Sequence, residues 1–124
     1  MTLSTSTPVA FVYVSDRERA HGFYVGTLGF TLKSADPSGD FIDMGRALMR
    51  MTVMADHRGG PHPVLGWDVE DIGATAATLR DRGVSFTIYE GMGQDEAGIW
   101  TAPDGTKVAW FTDPDGNVLS LSQA

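Results

Sequence analysis

The sequence predicts an α+β fold made of two copies of one unit, in which a strand is followed by a helix and then by three strands. Short β-branched and aromatic runs surround two segments with helical spacing, and this order of elements occurs twice along the chain. An offset of 55 residues also relates identical residues in the two halves. These pairs are Val9 and Val64, Val14 and Val69, and Asp16 and Asp71. We therefore interpret the chain as an internal duplication.

The first repeat contains a strand, an amphipathic helix and three further strands. Its opening strand is predicted at Val9–Val14, a run of β-branched and aromatic residues. Ser15 followed three residues later by Glu18 fits a capping box, so we expect a helix to begin there and to end at Gly29. The methionines of the last strand share an apolar face, which favours core packing. The three later strands are expected at residues 30–32, 41–44 and 47–54.

The second repeat follows a segment rich in turn-forming residues, at 56–63, which we interpret as a linker. We expect one domain over residues 1–124, with a first module at about 8–55 and a second at about 64–124. In the second module Asp71 is expected to cap a helix at 72–82 that Gly83 ends. Strands are expected at residues 64–69, 84–89, 99–101, 107–112 and 118–122, the last behind a turn at 113–117.

Composition limits the classes of function. The 124 residues, 42% of them hydrophobic, suffice for one domain with its own core. The absence of cysteine excludes disulfides, a thiolate metal site and a cysteine nucleophile. A net charge of −7 disfavours a nucleic-acid partner and favours a cationic ligand over an anionic one. No signal peptide or apolar run of roughly 20 residues is recognisable, so we expect a cytoplasmic protein without membrane contact.

Two segments carry a family resemblance. The first runs from Val14-Ser15-Asp16 through Phe23-Tyr24 to Leu28-Gly29-Phe30, and the second is Asp113-Pro114-Asp115-Gly116-Asn117 with the strand after it. Together they resemble the vicinal oxygen chelate superfamily, which includes glyoxalase I, extradiol dioxygenases, fosfomycin-resistance enzymes and bleomycin-binding proteins. The resemblance implies two βαβββ modules whose curved mixed sheets form a cleft, helices on the outer faces, and a homodimer.

Enzymes of that superfamily hold one divalent metal with His, Gln or Glu side chains at four positions. Here the resemblance places Val9, Val64 and Ser120 at three of them and Arg50 at the fourth, with Met49 as the alternative to Arg50. None of these side chains suits a divalent cation, so we expect no metal and no cofactor. Glyoxalase or dioxygenase activity is disfavoured because it depends on metal polarisation of the substrate. Of the three histidines, His21 lies on the predicted helix, and His57 and His62 in the linker are interpreted as solvent-facing.

Strand alternation assigns the side chains that would line the cleft, because residues two apart share a face. Trp110 enters it if Thr112 pairs with Val118, whereas a slip of one residue buries Trp110 against the helix. Without a ligand, Arg50 is expected to pair with Asp68 or Asp43. The expected ligand-binding residues are Phe11, Tyr13, Arg50, Val64, Asp68, Trp110 and Ser120, with Trp100 and Phe41 as further candidates that equally fit the core.

Three functional hypotheses remain. The first is a metal-free protein that binds a small organic molecule, an aromatic or cationic compound such as an antibiotic, and resembles the bleomycin-binding members. The second is a metal-independent enzyme that uses Tyr13, Arg50 or Asp68 for proton transfer, although the sequence assigns no catalytic residue. The third is a structural or regulatory dimer without a ligand.

Overall fold

A computed structural model describes residues 2–124. The chain forms two compact units, the first ending at Arg58 and the second beginning at Gly59. Each unit contains one four-stranded mixed sheet and runs in the order strand, helix, strand, strand, strand. The predicted α+β class with two βαβββ modules is therefore confirmed.

The first unit pairs its first strand with its last. The elements are β1 (Val9–Val14), α1 (Arg17–His21), β2 (Thr31–Asp36), β3 (Gly39–Asp43) and β4 (Leu48–Val53). The sheet order is β1-β4-β3-β2, with β1 and β4 parallel and the other pairs antiparallel. A short 3-10 helix, Leu3–Thr5, precedes β1, and α1 continues directly into a π-helical segment, Gly22–Thr27.

The second unit repeats this arrangement. The elements are β5 (Pro63–Asp68), α2 (Ile72–Asp81), β6 (Trp100–Thr101), β7 (Lys107–Thr112) and β8 (Val118–Gln123). The sheet order is β5-β8-β7-β6, with β5 and β8 parallel and the other pairs antiparallel.

Both helices begin with an aspartate cap at equivalent positions. The Asp16 carboxylate accepts a hydrogen bond from the Arg19 amide at 3.0 Å, and Asp71 accepts one from Ala74 at 3.0 Å. The capping box expected from Ser15 is wrong, because the Asp16 side chain reaches the amide three residues ahead. The two caps lie 55 residues apart, which is the offset that relates the two halves of the sequence.

Two predicted elements differ from the structure. The first helix loses its α-helical spacing after His21, and Leu28 donates its amide to the Phe23 carbonyl at 2.8 Å, five residues back. Residues 84–89 do not form the expected strand. One backbone hydrogen bond, from Thr87 to the Trp110 carbonyl at 2.7 Å, links this segment to β7 in place of a ladder.

Each core lies on one face of its sheet. In the first unit Val12, Met49 and Met51 are buried together with Ala20 and Tyr24 of the helical segment. The buried methionines confirm that they pack in the core. In the second unit the apolar face of the sheet lies under α2, and its buried residues are Ala109, Phe111, Leu119, Leu121, Ile72, Ala76 and Leu79. The opposite face of each sheet is not covered by the helix of its own unit.

Candidate functional site

The face of the first sheet opposite its core carries exposed aromatic side chains. Phe11 is 64% exposed and Tyr13 is 46% exposed, whereas their strand neighbours Val12 and Val14 are buried. This alternation agrees with the pleat of a strand that is covered on one side. Phe11 and Tyr13, together with the exposed Val9, form one apolar row along β1, and exposed apolar patches indicate contact surfaces.

Arg50 lies in the centre of this face. It pairs in register with Phe11 of β1 on one side and with Phe41 of β3 on the other. Ser120 of β8 lies opposite Gly66 of β5, and the 55-residue offset relates Gly66 to Phe11. Arg50 and Ser120 therefore hold equivalent positions in the two units. The alternative residue, Met49, is fully buried in the core.

The guanidinium of Arg50 is held by two neighbours. Its Nη1 and Nη2 atoms lie 2.9 Å from Oδ2 and Oδ1 of Asp36, and its Cζ lies 4.9 Å from the centre of the Phe41 ring. The side-chain hydrogen bond with Arg50, aided by the Ser38 amide, lowers the pKa of Asp36 to about 2. The same contact with Asp36 raises the pKa of Arg50.

The expected pairing of Arg50 with Asp68 or Asp43 is therefore wrong. Asp43 uses its carboxylate in its own turn, where it accepts a hydrogen bond from the Gly45 amide at 2.8 Å. Asp36 ends the edge strand β2, which β3 separates from β4, and it lies two residues beyond Ser34, the β2 residue in the row of Arg50. The long arginine side chain spans that distance. The sequence offered no means of aligning β2 with β4.

The corresponding face of the second sheet carries three aromatic rings. Trp110 pairs in register with Ser120, and Thr112 pairs with Val118, which is the register that places Trp110 opposite the core. The Tyr89 ring contacts Trp110 edge to face with 5.4 Å between centroids, and the Trp100 ring lies 6.2 Å from Trp110. We call Tyr89, Trp100 and Trp110 the ring cluster.

Gly66 leaves room for the hydroxyl of Ser120 beside the ring cluster. A Cβ atom at Gly66 would lie 2.5 Å from Oγ of Ser120, so any larger residue displaces that hydroxyl. Asp68 follows in the next row, where it pairs in register with Ser122 and is exposed. Val64 is 51% exposed at the irregular start of β5, outside the regular pairing with β8.

The position of Tyr89 depends on Gln94. The Gln94 side chain accepts a hydrogen bond from the Tyr89 amide at 2.7 Å and donates to the carbonyls of Thr87 and Gly98 at 2.9 and 2.8 Å. Two backbone groups of the segment that was expected to be a strand, and the carbonyl of Gly98, are thereby satisfied by one side chain. Sequence reasoning missed both residues, and the single available signal was a glutamine among glycines after an aromatic residue.

A pocket of about 490 Å³ opens beside the end of β1 and β4, lined by residues 53–57 and Tyr13. The rings of Tyr13 and His57 are 6.1 Å apart, so His57 is half-buried rather than solvent-facing as expected. His21 lies 3.5 Å from the buried carboxylate of Asp40, and His62 is exposed. The three histidines thus occupy three separate environments.

The residues at the metal-ligand positions do not fit a divalent metal. Val9 and Val64 have no donor atom, Arg50 carries a positive charge, and Ser120 offers one neutral hydroxyl. Among residues 2–124, no three His, Asp or Glu side chains converge as a metal site requires.

Within the same residues, no helix has the length and apolar character needed to cross a membrane.

Comparisons with known proteins agree on the family. The sequence model of the Glyoxalase/Bleomycin resistance protein/Dioxygenase superfamily matches residues 7–121. A search of curated proteins found no match. Among solved structures, a member of the glyoxalase/bleomycin resistance protein/dioxygenase superfamily from Sphaerobacter thermophilus DSM 20745 is 28% identical, with a TM-score of 0.71, and the alignment covers 99% of this chain and 100% of that chain.

Two further structures are similar. TnmS3, an antibiotic binding protein from Streptomyces sp. CB03234, is 27% identical, with a TM-score of 0.66 and coverage of 96% of this chain and 95% of that chain. A glyoxalase/bleomycin resistance protein/dioxygenase from Alicyclobacillus acidocaldarius has a TM-score of 0.75 at 18% identity, covering 96% of this chain and 91% of that chain. The last likeness concerns the fold alone.

Proposed function

Because this chain belongs to the glyoxalase/bleomycin resistance protein/dioxygenase superfamily, we propose that it is a metal-free binding protein for a small aromatic or cationic organic compound. Binding itself is the proposed activity, so no nucleophile or general base has to be positioned. The proposal includes a homodimer and a cytoplasmic location.

The ring cluster is the observation that carries this proposal. The Trp110 ring contacts the rings of both Tyr89 and Trp100, on the sheet face that α2 leaves uncovered. Indole and phenol rings bind planar aromatic molecules by offset stacking and bind organic cations through their π faces. Binding costs these side chains little conformational entropy, because aromatic side chains have few rotatable bonds.

Polar groups next to the ring cluster would orient the ligand. The Ser120 hydroxyl can donate or accept a hydrogen bond, and the exposed carboxylate of Asp68 would attract a positive charge. The net charge of −7 favours the approach of a cation as well. The likeness to TnmS3, an antibiotic binding protein, supports an antibiotic as the class of compound.

The metal-free part of the proposal rests on the donor set. Lewis-acid catalysis requires a cation held by several oxygen or nitrogen ligands, and valine, valine, serine and arginine do not supply them. The chemistry expected from this site is therefore stacking, hydrogen bonding and ion pairing.

A thermal-shift and fluorescence screen tests the proposal. We expect cationic polyaromatic antibiotics to raise the melting temperature and to quench tryptophan fluorescence, because a ligand stabilises the folded state by an amount that grows with the ratio of its concentration to its dissociation constant. The quench should become smaller in Trp110→Phe, which removes one of the two tryptophans of the ring cluster and leaves Trp100. It should persist in Trp67→Phe, since Trp67 stacks against the buried Phe111 instead, with 6.5 Å between ring centroids.

Two outcomes would overturn the proposal. The first is stabilisation by Zn²⁺, Ni²⁺ or Mn²⁺ that EDTA removes, which would require a metal site. The second is a ligand response that is the same in Trp110→Phe as in the unaltered protein. If mass spectrometry detected chemical conversion of a bound compound, we would instead interpret the protein as a metal-independent enzyme.

A further inference from the structure

We propose that the second unit binds an apolar amino acid, as a zwitterion, in a cavity on the side of its sheet that α2 covers. The cavity, which we call the helix-side cavity, has a volume of about 400 Å³ and is bounded by the last turn of α2, by residues 83–86 and 88, and by residues 96 and 97. This volume suits a small ligand. The ring cluster lies on the opposite face of the sheet, so this inference does not depend on the proposed function.

Three apolar side chains form the floor of the helix-side cavity. Val84, Phe86 and Ile88 lie two residues apart along the segment that follows α2. Val84 is buried, and the Phe86 ring contacts the buried Phe111 edge to face, with 5.5 Å between ring centroids. Ile88, at the outer end, is 61% exposed. A bound apolar side chain would cover this exposed surface, and the removal of apolar surface from water favours binding.

A tight turn at residues 95–98 forms one wall of the cavity. The Asp95 carboxylate accepts hydrogen bonds from the amides of Ala97 and Ile99, both at 2.9 Å. Gly98 has a φ of +87°, which favours glycine, and a Cβ atom there would lie 3.0 Å from Cβ of Phe86. The turn therefore rests directly against the floor. Because these contacts fix the wall before a ligand arrives, binding does not have to order it.

Arg80, in the last turn of α2, provides a positive charge at the cavity. Its Nη1 atom donates a hydrogen bond to the Ala97 carbonyl at 3.3 Å, and its Cζ atom lies 6.0 Å from the centre of the Phe86 ring. In the described part of the chain, its remaining N–H groups have no hydrogen-bond acceptor. Adjacent N–H groups of a guanidinium match the two oxygens of a carboxylate, so Arg80 is suited to the α-carboxylate of an amino acid.

Glu96 provides a negative charge at the same cavity. Arg80 and Glu96 do not pair with each other, and within residues 2–124 neither side chain forms an ion pair. A simple anion would be attracted by Arg80 and repelled by Glu96, and a simple cation would meet the reverse. A zwitterion with an apolar side chain complements both charges and the apolar floor. These groups together describe an apolar α-amino acid.

The experiment titrates L-leucine into the full chain and follows the Ile88 methyl groups by NMR. It is compared at neutral pH with leucinamide, which lacks the carboxylate, and with N-acetylleucine, which lacks the ammonium group. We expect leucine to bind about two- to fivefold more tightly than either analogue, because each analogue lacks one exposed ion pair. All three compounds should shift the Ile88 signals, since they share one apolar side chain.

Substitution of the two charged residues should separate the analogues. Arg80→Gln should weaken the binding of leucine and N-acetylleucine by about two- to fivefold and should not weaken that of leucinamide. Glu96→Gln should weaken leucine and leucinamide to a similar extent and should not weaken N-acetylleucine. Arg46→Gln and Glu90→Gln are the matched controls, because these exposed residues carry the same charges and lie outside the cavity.

Three outcomes would overturn the proposal. The first is leucine that leaves the Ile88 signals unchanged, whether it binds nowhere or shifts the Trp110 indole signal at the ring cluster instead. The second is leucine that binds no more tightly than its analogues. The third is a pair of variants, Arg80→Gln and Glu96→Gln, that act no differently from their controls while melting curves show all four to be folded. Failure of antibiotic binding at the ring cluster would leave these expectations unchanged.

Discussion

Trp110 lies directly opposite Ser120 across the antiparallel pair of β7 and β8. A slip of one residue would exchange Trp110 with the buried Phe111 and remove the indole from the open face. The turn between the strands holds this register. Asp113 accepts the amides of Asp115 and Asn117 at 2.9 and 3.0 Å, and the Asn117 side chain donates to it at 2.7 Å.

The first prediction concerns Asp113, which is 4% exposed. Asp113→Ala should lower the free energy of unfolding by roughly 2 to 4 kcal/mol, because buried donors lose a charged acceptor. Urea denaturation measures this change. Asp104→Ala is the control, since the exposed Asp104 accepts the Thr106 amide in a similar turn at 2.9 Å and should matter much less. Equal losses in the two variants would contradict the assigned role of Asp113.

The second prediction concerns Gln94. Gln94→Leu should remove the side-chain hydrogen bonds to the backbone of Thr87, Tyr89 and Gly98. The Tyr89 ring should then no longer be held against Trp110. Hydrogen exchange at the Tyr89 amide should rise, while the amides of β8 stay protected.

Affinity gives a second measurement of the Gln94 variant. We expect ligand binding at the ring cluster to weaken by about tenfold, with no further loss when Tyr89→Leu is added. Additive effects of the two substitutions would show that Gln94 does not act through Tyr89.

The third prediction concerns the ionisation of Asp36. Its pKa of about 2 lies below the ordinary 3.8, chiefly because Arg50 donates a hydrogen bond to its carboxylate. A depressed folded-state pKa contributes stability that is present above 3.8 and lost as the pH falls through about 2.

Carboxylate NMR across this pH range follows the titration of Asp36. Arg50→Gln should move the pKa of Asp36 up toward 3.8, and the Ser38 amide should keep part of the depression. The stability advantage of the unaltered protein over Asp36→Asn should shrink across the same range. An unchanged pKa in Arg50→Gln would contradict the assigned cause.

The fourth prediction concerns Gly66. Gly66→Ala should rotate or displace the Ser120 hydroxyl, because the added Cβ would lie 2.5 Å from its oxygen. We expect a lower melting temperature and weaker ligand binding at the ring cluster. Gly60→Ala is the control, since a Cβ there meets no atom within 4 Å. A Gly66→Ala protein with the melting temperature and affinity of Gly60→Ala would rule out close packing at this position.

Local patterns predicted most of the fold. The bounds of β1 and β7 agree with the structure, and the alternation of buried and exposed residues along β1 follows the apolar pattern. Such features depend on residues within one strand or one turn. The helix cap shows the limit of this approach, because Ser15 and Asp16 are both good capping residues, and the backbone direction entering the helix selected Asp16.

Contacts between distant segments were not predictable in the same way. Tyr89 lies in a segment whose apolar residues suggested a strand, yet Gln94 holds that segment as a loop. The wrong partner for Arg50 has the same origin, because identifying Asp36 requires the alignment of β2 against β3 and of β3 against β4.

The sequence by itself determined the duplicated order of elements, the core face of β1 and β8, and the residues, none of them suited to a divalent metal, at the positions that the resemblance assigns to metal ligands. These properties follow from residue identity and from a period of two along a strand. The tertiary structure alone decided that the Trp110 ring contacts the rings of Tyr89 and Trp100, and that the Asp36 carboxylate pairs with the Arg50 guanidinium. Those contacts depend on strand register and loop path, which are set by packing and hydrogen bonds between segments far apart in the chain.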